Sequence, residues 1–168
     1  DVFEQVEFFV DAVSDYKSDF VLFPEYFNAP LMAKFNHLGE AQSIRGLAQY
    51  TEEIRERFVN LAISYNINII TGSMPLLKED GALYNVGYLI RRDGSYEMYE
   101  KVHVTPDEQK SWGLSGGKMV KTFDTDCARI GVLICYDVEF PELSRIMADQ
   151  GMQILFVPFL TDTQNGYS

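Results

Sequence analysis

Gly131-Val132-Leu133-Ile134-Cys135-Tyr136-Asp137-Val138-Glu139-Phe140-Pro141-Glu142 is the stretch on which the reading of this chain turns. Ile130 to Ile134 runs apolar without alternation, the pattern of a strand buried on both faces, and Cys135 ends it. Pro141 suits the first position of a helix, where its missing N–H costs nothing and its φ is already helical. Leu143, Ile146 and Met147 give that helix an apolar face, and Gly151 closes it. Ile154 to Val157 is a further strand. Buried strands alternating with amphipathic helices specify a layered α/β fold.

The alternation continues outward from there. Phe3, Val6, Val10 and Val13 recur at steps of three and four, with Glu4, Glu7 and Asp11 between them, and predict an amphipathic helix. Asp15 to Asp19 is a polar break, and Phe20 to Phe23 reads as a strand buried on both faces, stopped by Pro24 and followed at once by Glu25. Residues 31–49 read as loop with some helix. Ile54, Phe58 and Leu61 mark a second helix, with Glu53 and Arg57 at i,i+4 on its surface. Ile67 to Thr71 is a second buried strand. Tyr84 to Ile90 and Tyr96 to Tyr99 flank Asp93-Gly94 and predict a hairpin, with Lys101 just beyond it. There is no internal repeat, low-complexity stretch or linker. The pattern reads as cut at both ends, with a helix before any strand and a strand and loop at the close.

At 168 residues the chain suits one domain by length. With 46% hydrophobic and 23% charged residues it can bury a sizeable core, which excludes disorder. A net charge of −11 argues against a nucleic-acid footprint and against a polybasic membrane surface. No apolar run approaches the ~20 residues of a membrane helix. Two cysteines, Cys127 and Cys135, make no disulfide framework and point to a reducing, cytoplasmic compartment with a free thiol available.

Three segments put a reactive side chain just past a strand: Leu22-Phe23-Pro24-Glu25-Tyr26-Phe27, Tyr99-Glu100-Lys101-Val102-His103 and Leu133-Ile134-Cys135-Tyr136-Asp137. Ligands gather at the carboxyl ends of strands in α/β sheets, so these groups can converge. Taken singly each has a plain structural reading: a solvated loop Glu, a surface Lys, an inert core thiol.

Taken together the three segments resemble the Glu, Lys and Cys motifs of the nitrilase superfamily, the carbon–nitrogen hydrolases. Most of the weight rests on the buried strand, Cys135-Tyr136-Asp137, and Phe140-Pro141-Glu142. The resemblance spans nearly all of the chain. It implies a four-layer αββα sandwich, with residues 1–168 a partial hydrolase domain that lacks the family's first strand and its C-terminal portion. It implies Cys135 as nucleophile, Glu25 as general base, Lys101 as charged stabiliser, and Glu108 as an additional active-site carboxylate. It implies a small amide, carbamoyl or nitrile substrate, no metal or organic cofactor, and a homodimer or higher homo-oligomer with the helix at 141–150 in the interface. Glu139 stands where many members have Arg, which removes the basis for a substrate contact there. Val157-Pro158-Phe159-Leu160-Thr161-Asp162-Thr163 is similar to a branch often fused to an acetyltransferase domain.

The chemistry must close a gap. A free thiol titrates near ~8.5 and a Glu near ~4.3, an uphill transfer of roughly 5–6 kcal/mol. Burial of Glu25 raises it, and the charge of Lys101 is expected to lower Cys135. Lys101 and the Tyr136 N–H are the candidate oxyanion donors. His103, two residues from Lys101, is an alternative base, with a structural hydrogen bond as its other reading. Ser115-Gly116-Gly117-Lys118 lacks the spacing of a phosphate loop and reads as a turn. Trp112 either lines the site or fills the core, and Asp137 and Glu142 read as supports of the strand-to-helix turn. Acyl transfer to an amine, using the same three groups, and a non-catalytic scaffold are the rival functions.

Overall fold

A computed structural model of the chain describes residues 2–160. Helix α1 (Val2–Asp15) leads into strand β1 (Phe20–Leu22), and a 3-10 segment (Ala29–Phe35) into helices α2 (Glu40–Ala48) and α3 (Thr51–Tyr65). Strands β2 (Asn68–Ile70), β3 (Met74–Leu77), β4 (Leu83–Ile90) and β5 (Tyr96–Glu100) follow. Next come the short helix α4 (Pro106–Ser111) and strands β6 (Leu114–Ser115), β7 (Phe123–Asp124) and β8 (Arg129–Val132). A 3-10 turn (Cys135–Glu139), helix α5 (Pro141–Asp149) and strand β9 (Ile154–Phe156) complete the described residues.

Two sheets result. In the first, β4 is the spine: β2 and then β3 run antiparallel along one edge, β5 and β6 lie along the other, and β1 pairs parallel with β2. In the second, β8 pairs antiparallel with β7 and parallel with β9. Side chains alternate across each strand, so each sheet has two apolar faces to cover. Ile69, Val86, Tyr88 and Ile90 pack under α1 and α3 through Val6, Val10, Ile54, Phe58 and Ala62. On the opposite face Ile70, Leu89 and Tyr99 meet Phe123, Ile130, Val132 and Ile134 of the second sheet. Leu133 turns the other way, against Leu143 and Met147 of α5. The layers therefore run helix, sheet, sheet, helix, which is the αββα sandwich expected. Among the described residues no helix is long and apolar enough to cross a membrane.

Several local expectations change. Residues 31–49 are mostly helical; α2 buries Ser43, Ile44, Gly46, Leu47 and Ala48, a face too poor in large apolar residues to stand out as a pattern. Gly46 sits against the Phe35 ring so closely that a Cβ there would lie 2.8 Å from it. Leu22 is 40% exposed because β1 is an edge strand, so only Val21 of β1 is buried. In α5 the packed residues are Leu143 and Met147, while Ile146 is 44% exposed, a position further around the helix. Strands β3, β6 and β7 were not legible: β3 carries Pro75, tolerable on an edge, and the other two span only two residues each. Of the 157–163 stretch, Thr161, Asp162 and Thr163 lie outside the described residues.

Candidate active site

Glu25 is held by a turn that the local chain makes unusually rigid. After β1, Phe23 N–H still bonds to Ile70 O (2.9 Å), and Pro24 O accepts from Ser73 N (3.4 Å). Tyr26 N–H then donates to Ser73 Oγ (3.2 Å), and Tyr26 has φ 50°. Opposite this turn, the chain between β2 and β3 bends at Gly72, φ 71°, where a Cβ would fall 2.0 Å from Pro24 O. Only glycine permits that approach. Lys101 follows β5, its N–H on Asn85 O (2.9 Å) and its O accepting from Gly117 N (2.8 Å). The expected turn at 115–118 is not one: Ser115 ends β6, and Gly116 and Gly117 are irregular chain pressed against this segment, where a Cβ at Gly116 would be 2.3 Å from Val102 O. Glu108 enters on α4. Thr105 caps that helix, its Oγ1 accepting from Glu108 N (3.3 Å) while Glu108 Oε1 accepts from Thr105 N (3.1 Å).

These three side chains meet, buried, around one ammonium. Lys101 Nζ lies 2.8 Å from Glu25 Oε1 and 2.6 Å from Glu108 Oε1, with Lys101 only 1% exposed. Asn85 Nδ2 donates to both carboxylates, Glu25 Oε1 (3.2 Å) and Glu108 Oε2 (3.3 Å), and Tyr26 OH donates to Glu108 Oε2 (2.7 Å). Burial alone would pull the Lys101 ammonium down, but Glu25 and Glu108 hold it above its ordinary value. Burial likewise pushes Glu108 up, yet Lys101, with the Tyr26 and Thr105 hydrogen bonds, leaves it below the usual carboxylate range. Burial and the neighbouring Glu108 push the Tyr26 phenol far above its normal value, so it donates and stays neutral. Trp112 packs edge-on against the Tyr26 ring at 5.4 Å and so belongs to the wall behind this group.

Cys135 comes from the other sheet. Leu133 N–H bonds to Phe156 O (3.1 Å) and Cys135 N–H to Pro158 O (2.9 Å), which carry the β8–β9 pairing past the strand ends. Cys135 itself has φ 46°, a left-handed conformation costly for a non-glycine residue and common where a reactive group must be aimed. Its half-buried thiol lies 4.0 Å from Leu160 O, and Leu160 N–H donates to Glu25 Oε2 (3.2 Å), so one residue bridges the thiol and this carboxylate. The expected lowering of this thiol by Lys101 does not prevail. Burial first, then Glu25, push Cys135 up, and Lys101 opposes them only in part because two carboxylates already share its charge. The Tyr136 N–H has no backbone acceptor among the described residues, and its ring rests edge-on against Phe140.

His103 does not reach the thiol. Its ring stacks on Phe140 (3.7 Å, 6°), and Nδ1 lies 3.1 Å from Asp137 Oδ1. Asp137, fully buried, accepts from Val102 N (2.9 Å) and His103 N (2.7 Å), so it ties the Lys101 segment to the Cys135 turn rather than merely supporting the turn. Cys127 sits exposed in its loop, pushed up by desolvation and by Asp126 and Asp19, against Arg92. Asn85, Tyr26 and Ser73 were missed. Thr105-Pro106-Asp107-Glu108 is a capping-box sequence that could have fixed the place of Glu108. An open cleft of about 390 Å³ along β5 and residues 118–121 is lined by none of these groups.

The family described as Carbon-nitrogen hydrolase matches residues 1–167. The chain is 48% identical over 163 residues to the "Probable hydrolase YhcX" of Bacillus subtilis (strain 168), covering 97% of this chain and 32% of that protein. It is 35% identical over 151 residues to the Homo sapiens "Omega-amidase NIT2", covering 82% of this chain and 50% of that one. Among solved structures, Saccharomyces cerevisiae Nit3, a member of branch 10 of the nitrilase superfamily, superposes with a TM-score of 0.81 at 25% identity, over 98% of this chain and 60% of the yeast chain. The chain thus spans between about a third and a half of the length of these two curated relatives.

Proposed function

From the chain's membership of the carbon–nitrogen hydrolase family, we propose that it carries the catalytic centre of an amidase-type hydrolase acting on small non-peptide amides, with Cys135 as nucleophile, Glu25 as base and Lys101 as electrostatic stabiliser. The observation that carries the reading is that Leu160 bridges the Cys135 thiol, 4.0 Å from its carbonyl, to a carboxylate that itself holds a buried ammonium at 2.8 Å. Glu25 takes the thiol proton as sulfur attacks the amide carbon, so no free thiolate need exist beforehand. That suits a thiol held above its ordinary pKa. Lys101 and the Tyr136 N–H stabilise the oxyanion of the tetrahedral intermediate. Glu25 returns the proton to nitrogen as the C–N bond breaks, leaving a thioester on Cys135. Water, deprotonated by Glu25, then attacks the thioester; the acid leaves and the proton goes back to sulfur.

Glu108 has a separate task. Four donors surround its carboxylate, Lys101, Thr105 N, Tyr26 OH and Asn85, and it stays ionised. It balances Lys101, leaving Glu25 free to change protonation. The test is mass spectrometry of the full-length protein after brief exposure to a mixture of simple amides. An acyl mass on the peptide containing Cys135 is expected, and its loss after hydroxylamine treatment marks a thioester. Its absence with every amide, together with no release of ammonia, would refute the reading. The same proposal includes self-association through α5; sedimentation showing only monomer at micromolar concentration would remove that part.

A further inference from the structure

We infer that Asn85 is the positioning residue that holds both carboxylates, Glu25 and Glu108, in place around Lys101, so that Glu25 stays aimed for proton exchange. The inference rests on the proposed role of Glu25. Asn85 lies in β4, fully buried, and its backbone carbonyl already receives the Lys101 N–H (2.9 Å). Its single amide nitrogen spans Glu25 Oε1 and Glu108 Oε2, closing a ring of Glu25, Lys101, Glu108 and Asn85. The amide oxygen, Oδ1, has no hydrogen-bond partner among the described residues. A side-chain flip would satisfy nothing and would set that oxygen against two carboxylates, so the observed orientation is the one electrostatics demands. Leaving a buried acceptor unsatisfied is costly, and such a cost persists where function needs it.

The ring is asymmetric because Tyr26 OH and Thr105 N donate to Glu108 and not to Glu25, while Asn85 ties both carboxylates to one nitrogen. Lys101 reaches both carboxylates with one charge and cannot by itself distinguish them. Asn85 approaches Glu108 on Oε2, the oxygen Tyr26 also holds, and Glu25 on Oε1, the oxygen Lys101 also holds. Both oxygens of Glu108 thereby carry two donors each, whereas among the described residues Glu25 Oε2 accepts from Leu160 N–H alone. That leaves Oε2 of Glu25 as the site for a transferred proton. The charged and titratable groups facing Asn85 and this ring are Glu25, Tyr26, Lys101 and Glu108, with Cys135 beyond Glu25.

The test uses the full-length protein with Asn85→Asp and Asn85→Leu. Asn85→Asp keeps the shape but offers a donor only when its carboxyl is protonated. Its turnover relative to wild type should therefore be down roughly 100-fold at neutral pH and recover as pH falls. Asn85→Leu should lose as much in kcat, with KM little changed and no recovery at low pH. A packing role alone would make the Asp variant resemble wild type at every pH. The same variants are read by iodoacetamide labelling of Cys135 against Cys127 in the same molecule, which needs no turnover. An added carboxylate should slow Cys135 about tenfold and leave Cys127 alone. Wild-type levels of turnover and labelling in Asn85→Asp across the pH range would overturn the inference. A wild type that hydrolyses no amide, but whose Cys135 is slowed by Asn85→Asp, would sink the proposed function and leave the role of Asn85 standing.

Discussion

The two sheets contribute to the site in opposite ways. The six-stranded sheet and its connections supply Glu25, Asn85, Lys101 and Glu108, already joined by hydrogen bonds of 2.6 to 3.3 Å within a buried polar knot. The three-stranded sheet supplies one reactive atom, the sulfur of Cys135, half-buried on a strained turn. Proton-handling groups need their charges balanced before any substrate arrives, because an unpaired buried charge is expensive. A nucleophile needs access and aim instead. The difference teaches that the alignment between the proposed base and the proposed nucleophile is a property of the contact between sheets. Near the site that contact includes the apolar packing of Ile70, Leu89 and Tyr99 on Ile130, Val132 and Ile134, the Asp137 bonds to residues 102 and 103, and the Leu160 N–H on Glu25; farther away Arg91 bonds Asp124 O (2.7 Å) and Asn68 bonds Asp126 (2.9 Å).

The largest effects should come from breaking the knot. Glu25→Gln removes one of two carboxylates and leaves Lys101 balanced by Glu108, so the protein should fold while turnover falls about 10³-fold or more. Iodoacetamide labelling of Cys135 should move the opposite way, faster and with a lower pH midpoint, since Glu25 pushes the thiol up and Lys101 alone would pull it down. Slower labelling in this variant would mean that the carboxylate does not raise the thiol. Lys101→Ala strands two buried carboxylates; chemical denaturation should show a loss of about 3–5 kcal/mol, and labelling of Cys135 should slow.

Next comes the link between sheets. Asp137→Ala deprives two backbone N–H groups of their acceptor and frees the Lys101 segment from the Cys135 turn. Turnover should drop about 100-fold through misalignment, with Asp137→Asn milder because it keeps one acceptor oxygen. Equal activity in Asp137→Ala and wild type would show that the Asp137 bonds do not align the sheets.

A smaller effect follows from pH. Glu108 is held below the usual carboxylate range, so the stability it contributes is complete above about pH 4.3, its unfolded value. That contribution is lost as pH falls through the depressed folded value. The Tm gap between wild type and Glu108→Gln, measured by calorimetry, should therefore narrow between pH 5 and pH 3; a constant gap would place the effect in packing rather than charge. The smallest effect belongs to Cys127→Ser, in an exposed loop outside both sheets, which should shift stability by less than about 0.5 kcal/mol and leave turnover intact.

Legibility followed the range of the physics involved. Helix α3 announced itself through Ile54 and Phe58, and the hairpin of β4 and β5 through Asp93-Gly94, because periodicity and turn chemistry act over a few residues. Helix α2 did not, because its buried face is Ser, Gly and Ala as much as Ile and Leu. The His103 alternative was open in sequence, where two residues separate it from Lys101. In the fold its ring turns to Phe140 and Asp137.

By itself the sequence determined the order of α1, α3, α5 and of β1, β2, β4, β5, β8 and β9, and set Glu25, Lys101 and Cys135 each just past a strand. Those are local matters of apolar runs, prolines and turns. Only the tertiary structure decided that Asn85 and Tyr26 close the ring, that Asp137 spans two segments, and that the Cys135 thiol is raised rather than lowered. Each of these depends on distances between groups far apart in the chain, such as the 76 positions from Glu25 to Lys101. The sign of an electrostatic shift is the sum over all such neighbours and the water they exclude. No single segment carries that sum.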